Sequence, residues 1–522
     1  MKKNAIKFVG AVSSAMLLAS CSWLSEPNPA VTTLDEYYEG AGGAGCQYTV
    51  NGCYVPLCWE FNNAYFPEWF IGDVCSDDAL KGGEAVSSAM PDVYYMENFK
   101  TVSNNDLLLD FYRAQYQGIG RCNMALRQIP LVPEDTTMTE EIRQRYLGEV
   151  YFLRAYYYFR LVRVFGGVPI STDVLDDPST SYRERATADA VYDRIIADLD
   201  SAEARLWTKS QLDASDLGRA TKGAAQAMLQ KVYLYRKDYA KSVEYANKVV
   251  ESGEYSLVSD YASNFTLNGE NNAESVFEIQ YSEESTSDYG DSYSHLGATR
   301  GTFSLVLTRG RKYGGWGWNH PTQNLVDEFE AGDTRLGATV FDPGDNIETR
   351  DNYLGNTYFN AKLGDYVDYP GSSTGLHDSR GPLNNKQIRY SDVLLMRAEA
   401  CAELGQNAQA IEDLNAVRKR AGVINFPGYT FLENGITATT ADEAHLKEAI
   451  RHERRVELGM EGHRWFDLVR WGVAAEVMNA YRQAETEEVR AHMNEFIKGT
   501  HELFPIPPKE IELNSMSQNP GY

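Results

Sequence analysis

Ser242-Val-Glu-Tyr-Ala-Asn-Lys-Val249 and Ala410-Ile-Glu-Asp-Leu-Asn-Ala-Val417 align without a gap. Each follows a helical stretch and a short polar turn, Arg236-Lys-Asp238 in one case and Gly405-Gln-Asn407 in the other. Upstream of the turn the register slips by one residue. Helix, turn and helix recurring in this way make the unit of a tetratricopeptide repeat, which buries its apolar face only by stacking on neighbours. Working outward, apolar residues spaced i, i+3, i+4 predict further helical runs at about 105–165, 187–251, 391–422 and 444–482. The strongest is Tyr146-Leu-Gly-Glu-Val-Tyr-Phe-Leu-Arg-Ala-Tyr-Tyr-Tyr-Phe-Arg-Leu-Val-Arg-Val-Phe165, stopped by Gly166-Gly167. Its Tyr156–Phe159 aromatics, with Trp465 and Trp471, are expected in the core. The fold class is mainly α. Four tetratricopeptide-like helix pairs form a superhelical scaffold, about 105–255 and 388–482, with long loop-rich insertions and a few short strands.

Two stretches have another texture, about 46–102 and 261–387. Both are rich in Gly, Ser, Asn, Asp and aromatics, and the second holds short strand-like pieces such as Ser275-Val-Phe-Glu-Ile-Gln-Tyr281. Long irregular inserts in a helical protein are usually functional. The scaffold is therefore expected to display these segments as a ligand-binding face.

Composition narrows the ligand. The 522 residues carry 49 Lys+Arg against 74 Asp+Glu, a net charge of −25. Without the first twenty residues and their Lys2, Lys3 and Lys7, 46 bases face 74 acids, or −28. Such a surface repels phosphate backbones, so nucleic acid is excluded as a partner and a neutral or cationic ligand is favoured. The N-terminal run Phe8–Ala19 is too short to span a bilayer and follows two lysines, the pattern of a secretory signal. It ends Leu18-Ala19-Ser20-Cys21, which resembles a bacterial lipobox with Cys21 as the acylated new N-terminus. Two or three acyl chains, each buried CH₂ contributing about 0.8 kcal/mol, hold a protein durably at a membrane. The expected division is a signal peptide at 1–20, a lipid-proximal tether at 21–34 and one domain at 35–522.

Export permits disulfides. Cys46, Cys53, Cys58 and Cys75 crowd one stretch, and one or two local bridges are expected among them; Cys122 and Cys401 read as small buried residues. Their irregular spacing does not suit zinc. Catalytic signatures are weak. Gly371-Ser-Ser-Thr-Gly375 fits G-x-S-x-G but lacks the flanking strand and helix, and His452-Glu-Arg-Arg-Val456 fails H-E-x-x-H at its last position. No phosphate-binding G-x-x-x-x-G-K-[ST] is present. Asp342-Pro-Gly-Asp-Asn-Ile-Glu348 offers oxygens to Ca²⁺ but lacks EF-hand spacing and reads as a solvated turn. No cofactor is expected.

Aromatics say more. Trp316 and Trp318 lie in Tyr313-Gly-Gly-Trp-Gly-Trp-Asn-His-Pro321, Trp59 and Trp69 in Trp59-Glu-Phe-Asn-Asn-Ala-Tyr-Phe-Pro-Glu-Trp-Phe70, and Tyr94, Tyr95, Tyr289 and Tyr293 elsewhere in the loop-rich segments. Flat rings with polar edges suit sugars, whose C–H faces stack while hydroxyls bond to Asn, Asp or Arg. The candidate glycan-binding set is Tyr313, Trp316, Trp318, Asn319, Trp59, Trp69, Tyr94, Tyr95, Tyr289 and Tyr293, with Asp77 and Asp78 as hydroxyl partners.

Longer stretches carry a resemblance. Besides Cys21 they are Asp110–Asn123, Glu149–Pro169, Pro321–Arg335, Arg389–Glu399, Glu453–Gly472, Leu503–Pro507 and Gln518–Tyr522. In this order they resemble the SusD/RagB family of surface lipoproteins, over essentially all of the chain after the signal. The resemblance implies a palmitate-class lipid anchor in the outer membrane, facing the cell exterior. It also implies glycan capture without catalysis, and delivery to a partner TonB-dependent (SusC-like) transporter on which the helical spine packs. Capture of peptides by the same architecture, or surface-anchored hydrolysis, are the alternatives.

Overall fold

The computed structural model describes residues 34–60, 67–174, 182–282, 301–366, 381–430, 437–438 and 443–522. The expected signal, Cys21, Tyr289, Tyr293 and Gly371–Gly375 lie outside them.

Helices of seven residues or more, in chain order, are α1 Leu34–Tyr54, α2 Pro91–Glu97, α3 Asp106–Gln128, α4 Glu140–Phe165, α5 Ala188–Glu203, α6 Lys222–Tyr235, α7 Tyr239–Glu251, α8 Tyr390–Glu403, α9 Asn407–Ala421, α10 Glu443–Leu458, α11 Arg464–Trp471, α12 Ala474–Ala484 and α13 Pro508–Asn514. Local chemistry starts several of them. Asn105, Thr139, Thr187, Thr221 and Asp238 each accept, through a side-chain oxygen, the amide hydrogen three residues on, satisfying a donor the first turn leaves free.

From α3 to α9 each helix packs on the next, and α10 closes against α8 and α9. The aligned octapeptides are α7 and α9, and they bury the same four positions: Ser242, Tyr245, Ala246 and Val249 in one, Ala410, Asp413, Leu414 and Val417 in the other. Asp413 replaces a tyrosine at its position because Arg397 of α8 grips it with two bonds of 2.8 and 2.6 Å. Helix α4 is buried on nearly every side, with Tyr156–Phe159 inside as expected. Trp465 is also in the core, whereas Trp471 is only partly covered.

Helix α1 departs from expectation. Composition predicts loop texture for Cys46–Tyr54, yet the segment is helical and packs on α3 and α4. Its Gly40-Ala-Gly-Gly-Ala-Gly45 run hides the helix from propensity. Those glycines allow the close approach: a Cβ on Gly43 would stand 2.0 Å from the carbonyl oxygen of Thr137.

Between α7 and α8 the chain makes its long excursion. Strand β2 (Ser275–Ile279) pairs antiparallel with β6 (Asn385–Arg389), so the excursion leaves and returns at one place, and α7 packs directly on α8. Inside it, β3 (Trp318–Pro321) pairs with β1 (Ala79–Gly82), and β4 (Val340–Phe341) with β5 (Phe359–Asn360). No described helix is long and apolar enough to cross a membrane.

Candidate ligand-binding face

Many contacts join the two loop-rich segments into one surface, and three of them set its outline. The first is the β1–β3 ladder, with Ala79 opposite Pro321, Leu80 opposite His320 and Gly82 opposite Trp318. Gly82 and Gly83 end it at φ +76° and +82°, and a Cβ on Gly82 would meet the Gly317 carbonyl oxygen at 2.4 Å. The second is Glu60, which accepts four hydrogen bonds from Thr302, the Phe303 amide and both the amide and hydroxyl of Ser304. The third is Arg311, 3.3 Å from Glu84.

Lys81 shapes the turn that follows β1. Its ammonium donates to the carbonyls of Gly82, Ala85 and Ala89 at 2.9, 3.1 and 3.1 Å, and lies 5.1 Å from the ring centres of both Trp318 and Tyr353. A cation between two aromatic faces is favourable in a dry site. Burial, opposed by the Glu97 charge, still brings its pKa down to about 8. Glu97 accepts the Lys81 amide hydrogen at 2.7 Å, and burial pushes its carboxyl up to about 7. The turn 82–90 is thus built around one buried amine.

Beside this turn the chain 304–317 is fixed by its backbone. The Trp316 amide donates to Val306 O at 2.8 Å, and the amides of Tyr313 and Gly315 donate to Gly310 O at 2.9 and 3.1 Å. Trp316 and Tyr313 are half-buried. Trp316 sits edge-on to Phe303 at 5.4 Å. Tyr313 stands against Phe341 at 5.1 Å and Tyr366 at 5.5 Å, and its hydroxyl accepts from the Asn346 side-chain amide at 2.9 Å. Glu84, Asn346 and Arg350 are exposed: Asn346 bonds Tyr313, Glu84 faces Arg311, and Arg350 lies 3.8 Å from Glu84 and 3.0 Å from Glu348. Aromatic rings held on a fixed backbone and rimmed by mixed charges can stack on a sugar and bond its hydroxyls.

The other sequence candidates sort differently. Trp318 is 5% exposed, edge-on to Phe70 at 5.6 Å and beneath Lys81, so it packs the base of the face. Asn319 is fully buried and donates to Asp73 at 3.1 Å. Asp77 and Asp78, expected to take hydroxyls, are instead interior ion pairs. Arg464 clasps Asp77 with two bonds of 2.8 Å, and Arg455 reaches Asp78 at 2.8 Å. A buried carboxylate whose charge is already matched is unavailable to ligand. Trp69 is buried and donates to the Ser304 hydroxyl at 3.0 Å, while Trp59 is buried under the Arg121 guanidinium. Both border an interior cavity of about 70 Å³ beside the Glu68–Arg160 pair. Tyr94 is turned inward onto His492 and Lys100, and Tyr95 is exposed on α2.

As a candidate, the face retains the half-buried Trp316 and Tyr313 of the sequence set, with Glu84, Arg311, Asn346 and Arg350 nearby. Charged loop residues carry no local signal that separates them from any solvated turn. Asp342 accepts the Gly344 amide hydrogen at 2.9 Å, an ordinary turn, and no acidic or histidine cluster among the described residues is fit to hold a metal ion. The four crowded cysteines form no bridge with one another: all six described cysteines are unlinked in this structure, and Cys46 and Cys53 are buried in the core from helix α1. That corrects the expected local disulfides.

Comparison with known proteins accords with this architecture. Residues 273–522 match the model of the SusD family, and residues 70–234 match a model described as starch-binding associating with outer membrane. SusD-like protein P2 of Formosa agariphila is 27% identical over 553 residues, covering 100% of both chains. Among solved structures, a laminarin binding SusD-like protein gives a TM-score of 0.76 at 28% identity, over 92% of this chain and 100% of the other. Surface glycan-binding protein A from Bacteroides fluxus gives 0.75 at 26%, over 92% and 99%. With a family match at each end of the helical stack and full-length relatives of the same fold, the chain belongs to the SusD family.

Proposed function

We propose that this chain is a non-catalytic glycan-binding lipoprotein. In this reading it is anchored at the outer membrane through Cys21 and captures an oligo- or polysaccharide on the face formed by the 82–90 turn, the 311–316 segment and the 342–358 segment. The observation that carries the reading is the pair of half-buried rings, Trp316 and Tyr313, fixed on hydrogen-bonded backbone among Glu84, Arg311 and Arg350. Family relatives described as laminarin binding and starch-binding favour a glucose polymer. A neutral sugar also suits a chain of net charge −25. Trp316 supplies the stacking platform, Tyr313 its edge, and the rim charges bond hydroxyls. Bound glycan is then passed to a TonB-dependent transporter against which the helical stack packs.

Titration calorimetry of the chain starting after Cys21, with laminarin-derived and starch-derived oligosaccharides, tests the capture step. Binding is expected with one of the two, weakened in Trp316→Ala with an unchanged melting curve. Equal affinity of Trp316→Ala and wild type would move the site elsewhere, and silence towards every glycan would end the reading. Purification from detergent-solubilised outer membrane tests the delivery step through recovery of a β-barrel partner; the lipoprotein recovered alone would count against it.

A further inference from the structure

Cys53 ends helix α1 and Cys122 lies in α3, 69 positions later, and the two helices are pinned together at this level. One residue before each cysteine, Arg121 donates through Nη1 to the Gly52 carbonyl at 2.9 Å. The Tyr157 hydroxyl donates to the Cys53 carbonyl at 2.7 Å. The ring of the same tyrosine lies against Gly118, one turn before Cys122, so closely that a Cβ there would be 2.4 Å away. Between these pins both cysteines are fully buried in one cluster, with the Cys53 thiol donating to the Thr49 carbonyl of its own helix at 3.4 Å. Cys58, Cys75 and Cys401 lie at other places in the fold, where they donate to Gln280 O, Phe70 O and the Gln406 side chain.

We propose that Cys53 and Cys122 are joined by a disulfide in the exported chain. The proposal rests on export to the cell envelope as read above, and is independent of which glycan binds. The chemistry is thiol–disulfide exchange with an envelope dithiol oxidase in its disulfide form. The thiolate of one cysteine attacks the oxidase disulfide, breaking its S–S bond and forming a mixed disulfide. The thiolate of the other cysteine then attacks that bond, forming Cys53–Cys122 and releasing the oxidase as a dithiol. Two protons and two electrons leave the chain and are carried by the reduced oxidase. Because burial raises the Cys122 thiol well above its ordinary pKa, the exchange takes place while the chain folds, before α1 closes over α3.

The bond encloses a loop of about 70 residues, and the constraint a cross-link places on the unfolded chain grows with the length of the loop it closes. That loop contains β1, Lys81 and the 82–90 turn, the whole N-terminal contribution to the ligand-binding face. It also fastens α1, the first helix after the tether, to the helical stack. Pull on a lipid anchor would enter the domain through α1.

Thiol counting decides the matter. Full-length chain expressed with its own leader is taken from the membrane fraction, denatured without reductant, alkylated with iodoacetamide, digested and analysed by mass spectrometry. The expected result is carbamidomethyl groups on Cys46, Cys58, Cys75 and Cys401, and a linked pair of peptides carrying Cys53 and Cys122, two hydrogen atoms lighter than their sum. Alkylation of all six cysteines, or linkage of any other pair, overturns the proposal. Cys53→Ser and Cys122→Ser should each expose the partner cysteine to alkylation. Dithiothreitol should lower the melting midpoint of wild type and leave those of the two variants unchanged. An equal response of wild type and variants also overturns it. Glycan binding is read separately by calorimetry, so failure of the ligand reading leaves the thiol count informative. Absence of the chain from the membrane fraction would instead refute the export reading and, with it, this proposal.

Discussion

Arginine and glutamate appear in two settings that differ in almost everything except composition. Behind the ligand-binding face, Glu457 receives Arg335 at 3.0 Å, Arg389 at 2.8 Å and Arg420 at 2.5 Å. Arg389 goes on to Glu274 and Glu461, and Arg335 to Asp333 and Glu453. The network bolts the excursion (Glu274, Arg335, Arg389) to α9 and α10, with every one of these side chains 6% exposed or less. On the face itself, Arg350 and Glu84 are each more than half exposed and meet only at 3.8 Å. Interior charges are committed to one another, because a buried ion without its partner is costly. Rim charges interact with water and weakly with each other, so a ligand can recruit them at little cost.

The largest expected effect belongs to the interior. Glu457→Gln leaves three guanidinium groups short of a charge and should destabilise the fold by about 3–5 kcal/mol, read as a lower urea midpoint. A midpoint equal to wild type would break the distinction between the two settings. Acid tests the same network without a mutation. Burial raises the Glu461 carboxyl, but Arg389 and Lys362 more than offset this and hold it at about 2; Asp467, beside Arg454 and Arg470, is likewise held at about 2. Both folded values lie below the unfolded values of roughly 4. Their stabilisation is therefore complete above the unfolded pKa and is lost as pH falls towards 2. A melting midpoint that stayed level from pH 5 to pH 2.5 would contradict this.

Lys81→Met sits between interior and rim. Three carbonyls of the turn lose their donor, which should cost about 1–3 kcal/mol. Amide exchange should quicken in 82–90 before it does in the helices. Uniform exchange across the chain would show that the turn does not depend on Lys81. Next comes Trp316→Ala, expected to weaken glycan affinity about tenfold, in line with the loss of one stacking aromatic anchor. Smallest of all is Glu84→Gln, expected to leave the melting midpoint unchanged and alter affinity about twofold at most. A large loss of stability in Glu84→Gln would place that carboxylate with the interior group.

The sequence was most legible where structure is local or repeated. The octapeptides of α7 and α9 bury matching positions, the aromatics of α4 fill the core, and Ser275–Ile279 is a strand. Legibility failed where the deciding partner is remote. Asp77 and Asp78 read as candidate hydroxyl partners because Arg455 and Arg464 stand about 380 residues further on. Remoteness likewise hid the role of Lys81, whose aromatic partners Trp318 and Tyr353 belong to the other loop-rich segment. Trp59, Trp69 and Trp318 share their loop composition with Trp316; only the packing of neighbours tells which ring is left uncovered. Helix α1 was missed for the opposite reason: its glycines oppose helix formation locally, and tertiary contact overrides them.

The pairing of β2 with β6 has a consequence for how such a protein can change. Because the chain departs from the helical stack and rejoins it on adjacent strands, the stack meets the excursion as a closed loop whose ends are already together. The entropy of closing a loop grows only with the logarithm of its length, about 0.6 kcal/mol per doubling. Residues added or removed in stretches of the excursion that carry neither Arg335 nor the β1–β3 pairing therefore tax the helices very little. A lineage can lengthen or shorten those stretches by insertion and deletion while inheriting the stack intact, and an engineer could graft new segments there if Arg335 and its partners are kept.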